Sequence, residues 1–316
     1  MWHRHQIYDK IIYIINYQKM KTITENNLTW TDIEKPAQKD LDWLKNNFNI
    51  HTIVLDELIP ASQREKVEYF NNYLFLAMHV PVFHQTKKTT KPIELDFLIA
   101  ENHLITIHNE PIEPLKDLIK KCEEKPDLKS KYFSSTTGHL FYWLSEEFLN
   151  FAERQLVHIG KNIGRIEDNM FKGMERELIK ELLIVKRDIL DFRIAIRPLN
   201  RIFNSLANRG VNSWPEKSAD LKIYFNDLIS DYERVWNEID NYTDTINALE
   251  DTHANLLSNK TNTIIRTFTI LSFITFPAML VAAVTQMNSA DLWIVVITIF
   301  FTSTFMWIYF KTKKWL

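Results

Sequence analysis

Two runs near the end of the chain limit what it can fold into more than any other feature. Residues 267–285, TFTILSFITFPAMLVAAVT, and 292–310, LWIVVITIFFTSTFMWIYF, are each 19 residues long and carry no charge. A hydrocarbon core needs about 20 such residues in a helix, so each run predicts one membrane span. Between Arg266 and Lys311 the only formal charge is Asp291. Lys260, Arg266, Lys311, Lys313 and Lys314 lie outside the two runs, and the connecting QMNSAD has no Lys or Arg. Both ends are therefore expected on the cytoplasmic side, with Trp293, Trp307, Tyr309 and Trp315 as interfacial anchors. Whole-chain averages conceal this: 46% hydrophobic residues, 25% charged and a net charge of -2 would suit a soluble protein.

The upstream residues predict such a soluble part. Residues 67–83 and 93–108 are rich in β-branched and aromatic side chains and are bounded by Pro81, Pro92 and Pro111, so they read as strands, with Glu101 and Asn102 forming a hairpin turn. Helical stretches flank them at Gln38–Phe48 and Leu115–Glu124. From about Gly138 to Asn208 the pattern becomes a long amphipathic helix, with Leu178, Leu182, Val185, Ile189, Phe192 and Ile196 on one face. Gly210 and Pro215 interrupt it. Ala219 to Thr285 then contains no Gly and only Pro277, and one helix of that length would extend roughly 100 Å.

The resulting expectation is an αβα cytosolic domain, a long stalk helix and two C-terminal transmembrane helices. Its boundaries are 1–19 for an N-terminal extension with Met20 as the functional start, 20–137 for the α/β domain and 138–216 for a helical region. The stalk is 217–265, the first span 266–286, the external loop 287–291, the second span 292–311 and the basic tail 312–316.

Other classes find less support. His79, His84, His103 and His108 alternate through the strand region without the tight spacing to carboxylate or Cys partners that a metal enzyme uses, so they read as half-buried structural histidines. No G-x-x-x-x-G-K-[ST] loop supports ATP-driven transport, and no basic, aromatic patch suggests nucleic acid. Cys122, the one cysteine, reads as structural. On the first span Ile265, Thr269, Ser272, Phe276 and Ala283 share a helical face, which fits helix packing as well as pore lining.

Residues 262–288, NTIIRTFTILSFITFPAMLVAAVTQMN, resemble the pore helix of the CorA family of magnesium transport proteins. Asn262 takes its initial Asn, Pro277 its proline and Met287-Asn288 its close. WTDIEKP (30–36), ELDFLIAENHLITIHNE (94–110), RIAIRPLN (193–200), YFNDLISDY (224–232) and the terminal KKWL are similar to family segments in the same order. The resemblance implies a funnel-shaped homopentamer in the cytoplasmic membrane. It would admit hydrated Mg2+, or Co2+ and Ni2+, without enzymatic chemistry or a covalent cofactor, and internal cation would close it.

By that resemblance Asn288, Met287, Gln286, Asn262, Thr269 and Ala283 line the pore, Ile265 and Phe276 form apolar gates, and Asp227 matches the regulatory aspartate. The family's tripeptide begins with Gly where this chain has Gln286, Thr285 stands where the family prefers Tyr, and the acidic external loop is missing. Asp291 is the residue available to concentrate cations in its place. These departures leave open a zinc-transporting relative and a non-conducting, membrane-tethered sensor or scaffold.

Overall fold

The computed structural model describes residues 20–59, 65–84, 89–170, 175–210, 220–284 and 289–312. The chain divides into two compact units, Met1–Asn247 and Ala248–Leu316.

The first unit is built on one sheet of β1 (Met20–Glu25), β2 (Leu28–Glu34), β3 (Lys66–Tyr69), β4 (Leu74–His84), β5 (Thr89–Ile99) and β6 (His103–His108), in the order β1-β2-β6-β5-β4-β3. Among the described residues only β2 and β6 pair in parallel. Asn26 and Asn27 turn β1 into β2 at φ 50° and 66°, the left-handed values that a two-residue hairpin requires and that Asn tolerates. The hairpin expected at Glu101 and Asn102 joins β5 to β6, closed by the Ala100 N–H donating to the His103 carbonyl at 2.8 Å.

Helices α1 (Gln38–Phe48) and α2 (Thr52–Leu58) cover one face of the sheet. Asn49, at φ 53°, ends α1 by donating its N–H to the Lys45 carbonyl, the usual left-handed stop. Leu41, Leu44, Val54 and Leu58 bury against Phe75, Leu98, Ile105 and Ile107. After α3 (Glu113–Glu124) and α4 (Pro126–Tyr132) come α5 (Thr137–Asn169) and α6 (Glu175–Ile196). These meet the other face, because successive strand residues alternate sides: Phe97, next to Leu98, contacts Phe141 of α5 edge-on at 5.1 Å. The stripe from Leu178 to Ile196 is buried as its spacing predicts.

Several boundaries differ from the sequence reading. β1 and β2 were not foreseen. Residues 67–83 form two strands that turn at 70–73, where Tyr69 pairs with Leu74. Pro81 and Pro92 sit opposite one another within β4 and β5 rather than ending them; β3 pairs only with 74–77 and β6 only with 96–99, so neither proline costs a ladder bond. The expected helix from Gly138 to Asn208 is α5, α6, α7 (Leu199–Ser205) and a π-helical turn at Leu206–Gly210, and Pro198 separates α6 from α7 because it cannot continue the α-helical ladder. The long helix α8 (Leu221–Val284) and α9 (Ser289–Thr312) follow. Ser289, Ala290 and Asp291 thus belong to a helix, not to the expected loop.

Two buried polar sites set testable stabilities. The Trp30 indole donates to Thr106 Oγ1 at 3.0 Å, Thr106 donates to Asp32 Oδ1 at 2.6 Å, and His108 Nε2 lies 3.3 Å from Asp32. His108 Nδ1 is 2.6 Å from the Glu110 carbonyl, which can only accept, so both ring nitrogens are placed as donors. Burial lowers the His108 pKa, but the hydrogen bond and charge of Asp32 outweigh it and hold it above the usual 6.5. The stabilisation is complete below 6.5 and is lost as pH rises through the elevated folded value. Thermal unfolding should therefore show a fall in stability as pH rises from 6.5 that Asp32→Asn diminishes.

Asp96 is 3% exposed, and its Oδ1 has no hydrogen-bond partner among the described residues. Burial first, then the charges of Glu94 and Glu57, pushes its carboxyl well above the usual range. Wild-type stability is then penalised above the unfolded carboxylate value, so Asp96→Asn should raise the stability at pH 7 by about 1–3 kcal/mol, with little gain near pH 4.

Candidate functional site

The first turns of α8 are held by an apolar repeat. Leu221, Phe225, Leu228, Tyr232, Val235 and Ile239 are spaced three and four apart and are all buried, so Asp227 and Asp231 fall beside the buried stripe. Asp227 is exposed. The Tyr142 hydroxyl of α5 donates to Asp227 Oδ2 at 2.7 Å. Its ring is 5% exposed and lies edge-on to Trp143 at 4.9 Å and to Tyr224 at 4.8 Å.

Glu146, one turn after Tyr142 on α5, completes an acidic cluster. Its carboxyl is held above the ordinary value by burial and by Asp231, Glu147 and Asp227, against the pull of Lys131. Asp231 is raised by burial and by Asp227 although Arg234, 3.1 Å away, lowers it. Burial and the hydrogen bond to Asp227 push the Tyr142 hydroxyl up as well. These shifts share burial as their main cause, with crowded negative charge adding to it. Among the described residues no group of three or more His, Cys, Asp and Glu could hold a metal ion.

Sequence reasoning named Asp227 but not Tyr142, Glu146 or Asp231, which the structure places beside it. Asp231 and Tyr142 stand in segments already singled out or bordering them, but their meeting spans 85 residues between Tyr142 and Asp227 and has no local signature. The histidines occupy ordinary surroundings: His79 pairs with Glu65 at 2.8 Å, His103 lies edge-on to Phe48 and His108 belongs to the network above; the His84 side chain lies outside the described residues. Cys122 is buried in α3, and burial pushes its thiol up to about 11, which removes the thiolate that reactivity needs.

In the second unit, Asn262 and Ile265 are exposed on α8, Thr269 is half-buried and Phe276 is 68% exposed. Thr269 donates its hydroxyl proton to the Ile265 carbonyl at 2.8 Å, and Ser272 does likewise to Phe268, leaving their oxygen lone pairs as acceptors. Phe273 of α8 meets Phe310 of α9 at 5.4 Å. Bulky side chains point outward on both helices, among them Phe268, Met279, Trp293, Phe300 and Phe305. Counted over the described residues, no helix is long and apolar enough to cross a membrane. Gln286, Met287 and Asn288, and the side chains of Ala283 and Asp291, lie outside the described residues.

Comparison with known proteins bears on both units. Residues 25–312 match the family model for the CorA-like Mg2+ transporter protein. The cobalt/magnesium transport protein CorA of Thermotoga maritima is 24% identical over 301 residues, covering 91% of this chain and 83% of that protein. Among solved structures, the complete CorA magnesium transporter from Methanocaldococcus jannaschii superposes with a TM-score of 0.74 at 19% identity, covering 94% of each chain. The ZntB cytoplasmic domain from Vibrio parahaemolyticus gives a TM-score of 0.52 at 15% identity over 75% of this chain and 90% of that one.

Proposed function

The chain belongs to the CorA-like Mg2+ transporter family, and from that premise we propose that it conducts divalent cations inward across the cytoplasmic membrane, Mg2+ ahead of Co2+ and Ni2+. The observation that carries the reading is the outward apolar surface of the second unit, where Phe276, Phe300 and Phe305 are 68%, 68% and 71% exposed. Helices apolar on every side belong in lipid or against other copies, not in water. The full sequence supplies the length, with two uncharged runs of 19 residues. We assign 266–286 and 292–311 as spans, with both termini cytosolic and 20–137 as the cytosolic α/β domain.

A two-helix hairpin encloses no water-filled path, so conduction requires several copies; a homopentamer follows the resemblance. Mg2+ gives up its waters reluctantly, and those waters are hydrogen-bond donors. The pore then needs neutral acceptors: Asn288 and Gln286 at the outer mouth beside Met287, Thr269 within with its lone pairs turned outward, and Asn262 at the inner end. Asn262 precedes Asn288 by 26 residues, roughly 39 Å of helix. Small Ala283 leaves room for the hydrated ion, Ile265 and Phe276 close the path by dewetting, and Asp291 draws cations to the mouth. Internal cation closes the channel at Asp227, supported by Asp231 and Glu146, and because one chain does not complete a metal group there, a second subunit supplies the remaining oxygens.

One feature favours a second reading: Gln286 replaces the glycine of the family tripeptide, which would suit a zinc-transporting relative. Ion-by-ion flux into proteoliposomes, with and without a proton gradient, separates the alternatives. Mg2+ flux is expected, lowered at least about tenfold in Asn288→Ala, a loss of about 1.4 kcal/mol or more, and raised in Gln286→Gly. Zn2+ flux without Mg2+ flux would establish the zinc reading, and a well-formed oligomer passing neither would be a membrane-tethered scaffold.

A further inference from the structure

We propose that Tyr142 is a latch on Asp227: its hydroxyl holds the carboxylate against its own subunit, and a cation taken up at Asp227 must displace it. The inference rests on the reading of Asp227 as the regulatory cation ligand.

Three observations lead to it. The hydroxyl donates to Asp227 Oδ2 at 2.7 Å, in the short range of bonds to a charged acceptor, so it occupies an oxygen that a divalent ion would otherwise take. The Tyr142 ring is buried and fixed edge-on between Trp143 and Tyr224, and it cannot follow the carboxylate if Asp227 turns outward. Asp227 itself is exposed, so its side chain has solvent to turn into.

The neighbouring charges explain why a latch would be useful. Glu146 and Asp231 crowd Asp227, and a hydroxyl proton relieves part of that repulsion as a weak substitute for a cation. Without the hydroxyl the repulsion is unrelieved, and a divalent ion gains more on binding. The latch therefore lowers apparent affinity by the fraction of Asp227 it keeps engaged. It sets the Mg2+ concentration at which the channel closes, and it ties α5 to α8 until that concentration is reached.

The test uses purified full-length protein, with Mg2+-dependent protection from limited proteolysis and Mg2+-dependent closure of flux as parallel readouts. Tyr142→Phe should lower the half-saturating Mg2+ concentration about three- to tenfold, and Asp227→Asn should abolish the saturable response. Tyr142→Phe combined with Asp227→Asn should behave as Asp227→Asn alone. An unchanged or raised half-saturation in Tyr142→Phe, with the response still lost in Asp227→Asn, overturns the latch and leaves the regulatory aspartate standing; a raised value would identify the phenol oxygen as a ligand. A full response in Asp227→Asn overturns the reading beneath it. Tyr142→Leu, which also removes the hydroxyl, must move in the same direction and serves if Tyr142→Phe does not fold.

Discussion

Large side chains on all sides of the last third of α8 and of α9 have to be kept from water, and most of the protein's organisation answers to that demand. Burying a Phe or Leu against an apolar phase is worth about 1.5–3 kcal/mol relative to exposure; the exposed rings at Phe276, Phe300, Phe301 and Phe305 make the demand large. Under the proposed function, lipid satisfies it for side chains facing away from an assembly and other copies satisfy it for those facing inward, where the path for a hydrated ion would lie.

Helix α8 changes character along its length to serve both units. Its first turns carry a one-sided apolar repeat from Leu221 to Ile239, whereas its last turns are apolar all round. One-sided packing leaves a flank beside α5 on which Asp231 sits half-buried and Asp227 exposed. The regulatory role proposed for that flank would need only helical spacing and partial burial, without a dedicated metal-binding loop.

The sequence was most legible where local chemistry decides the outcome. Helix α1 runs over the expected residues because Pro36 precedes it and Asn49 stops it, and α8 follows the expected span because nothing between Leu221 and Val284 except Pro277 opposes a helix. Strands β1 and β2 were missed because MKTITE and LTWTDIE carry polar groups that only pairing explains: Thr22 faces Thr31 across the hairpin, and Asp32 is buried through Thr106 and His108. The π turn after α7 and the split of 138–208 were likewise invisible to a periodicity that changes little across Pro198. At the candidate site Asp227 was recognisable by resemblance. Its partner Tyr142 was not, since a tyrosine on an amphipathic helix looks like any other core aromatic until the two helices are side by side.

Opposed Pro81 and Pro92 have a further consequence. The far end of the β4–β5 hairpin extends past the strands on either side, and strand edges left unpaired in this way can recruit strands from neighbouring molecules. A proline on each strand withholds the amide that an incoming strand would need, and the Thr90 amide is already engaged by the Asp188 carboxylate at 2.5 Å. If copies gather in one membrane as the proposed function has it, this guards against stray sheet-to-sheet pairing between them.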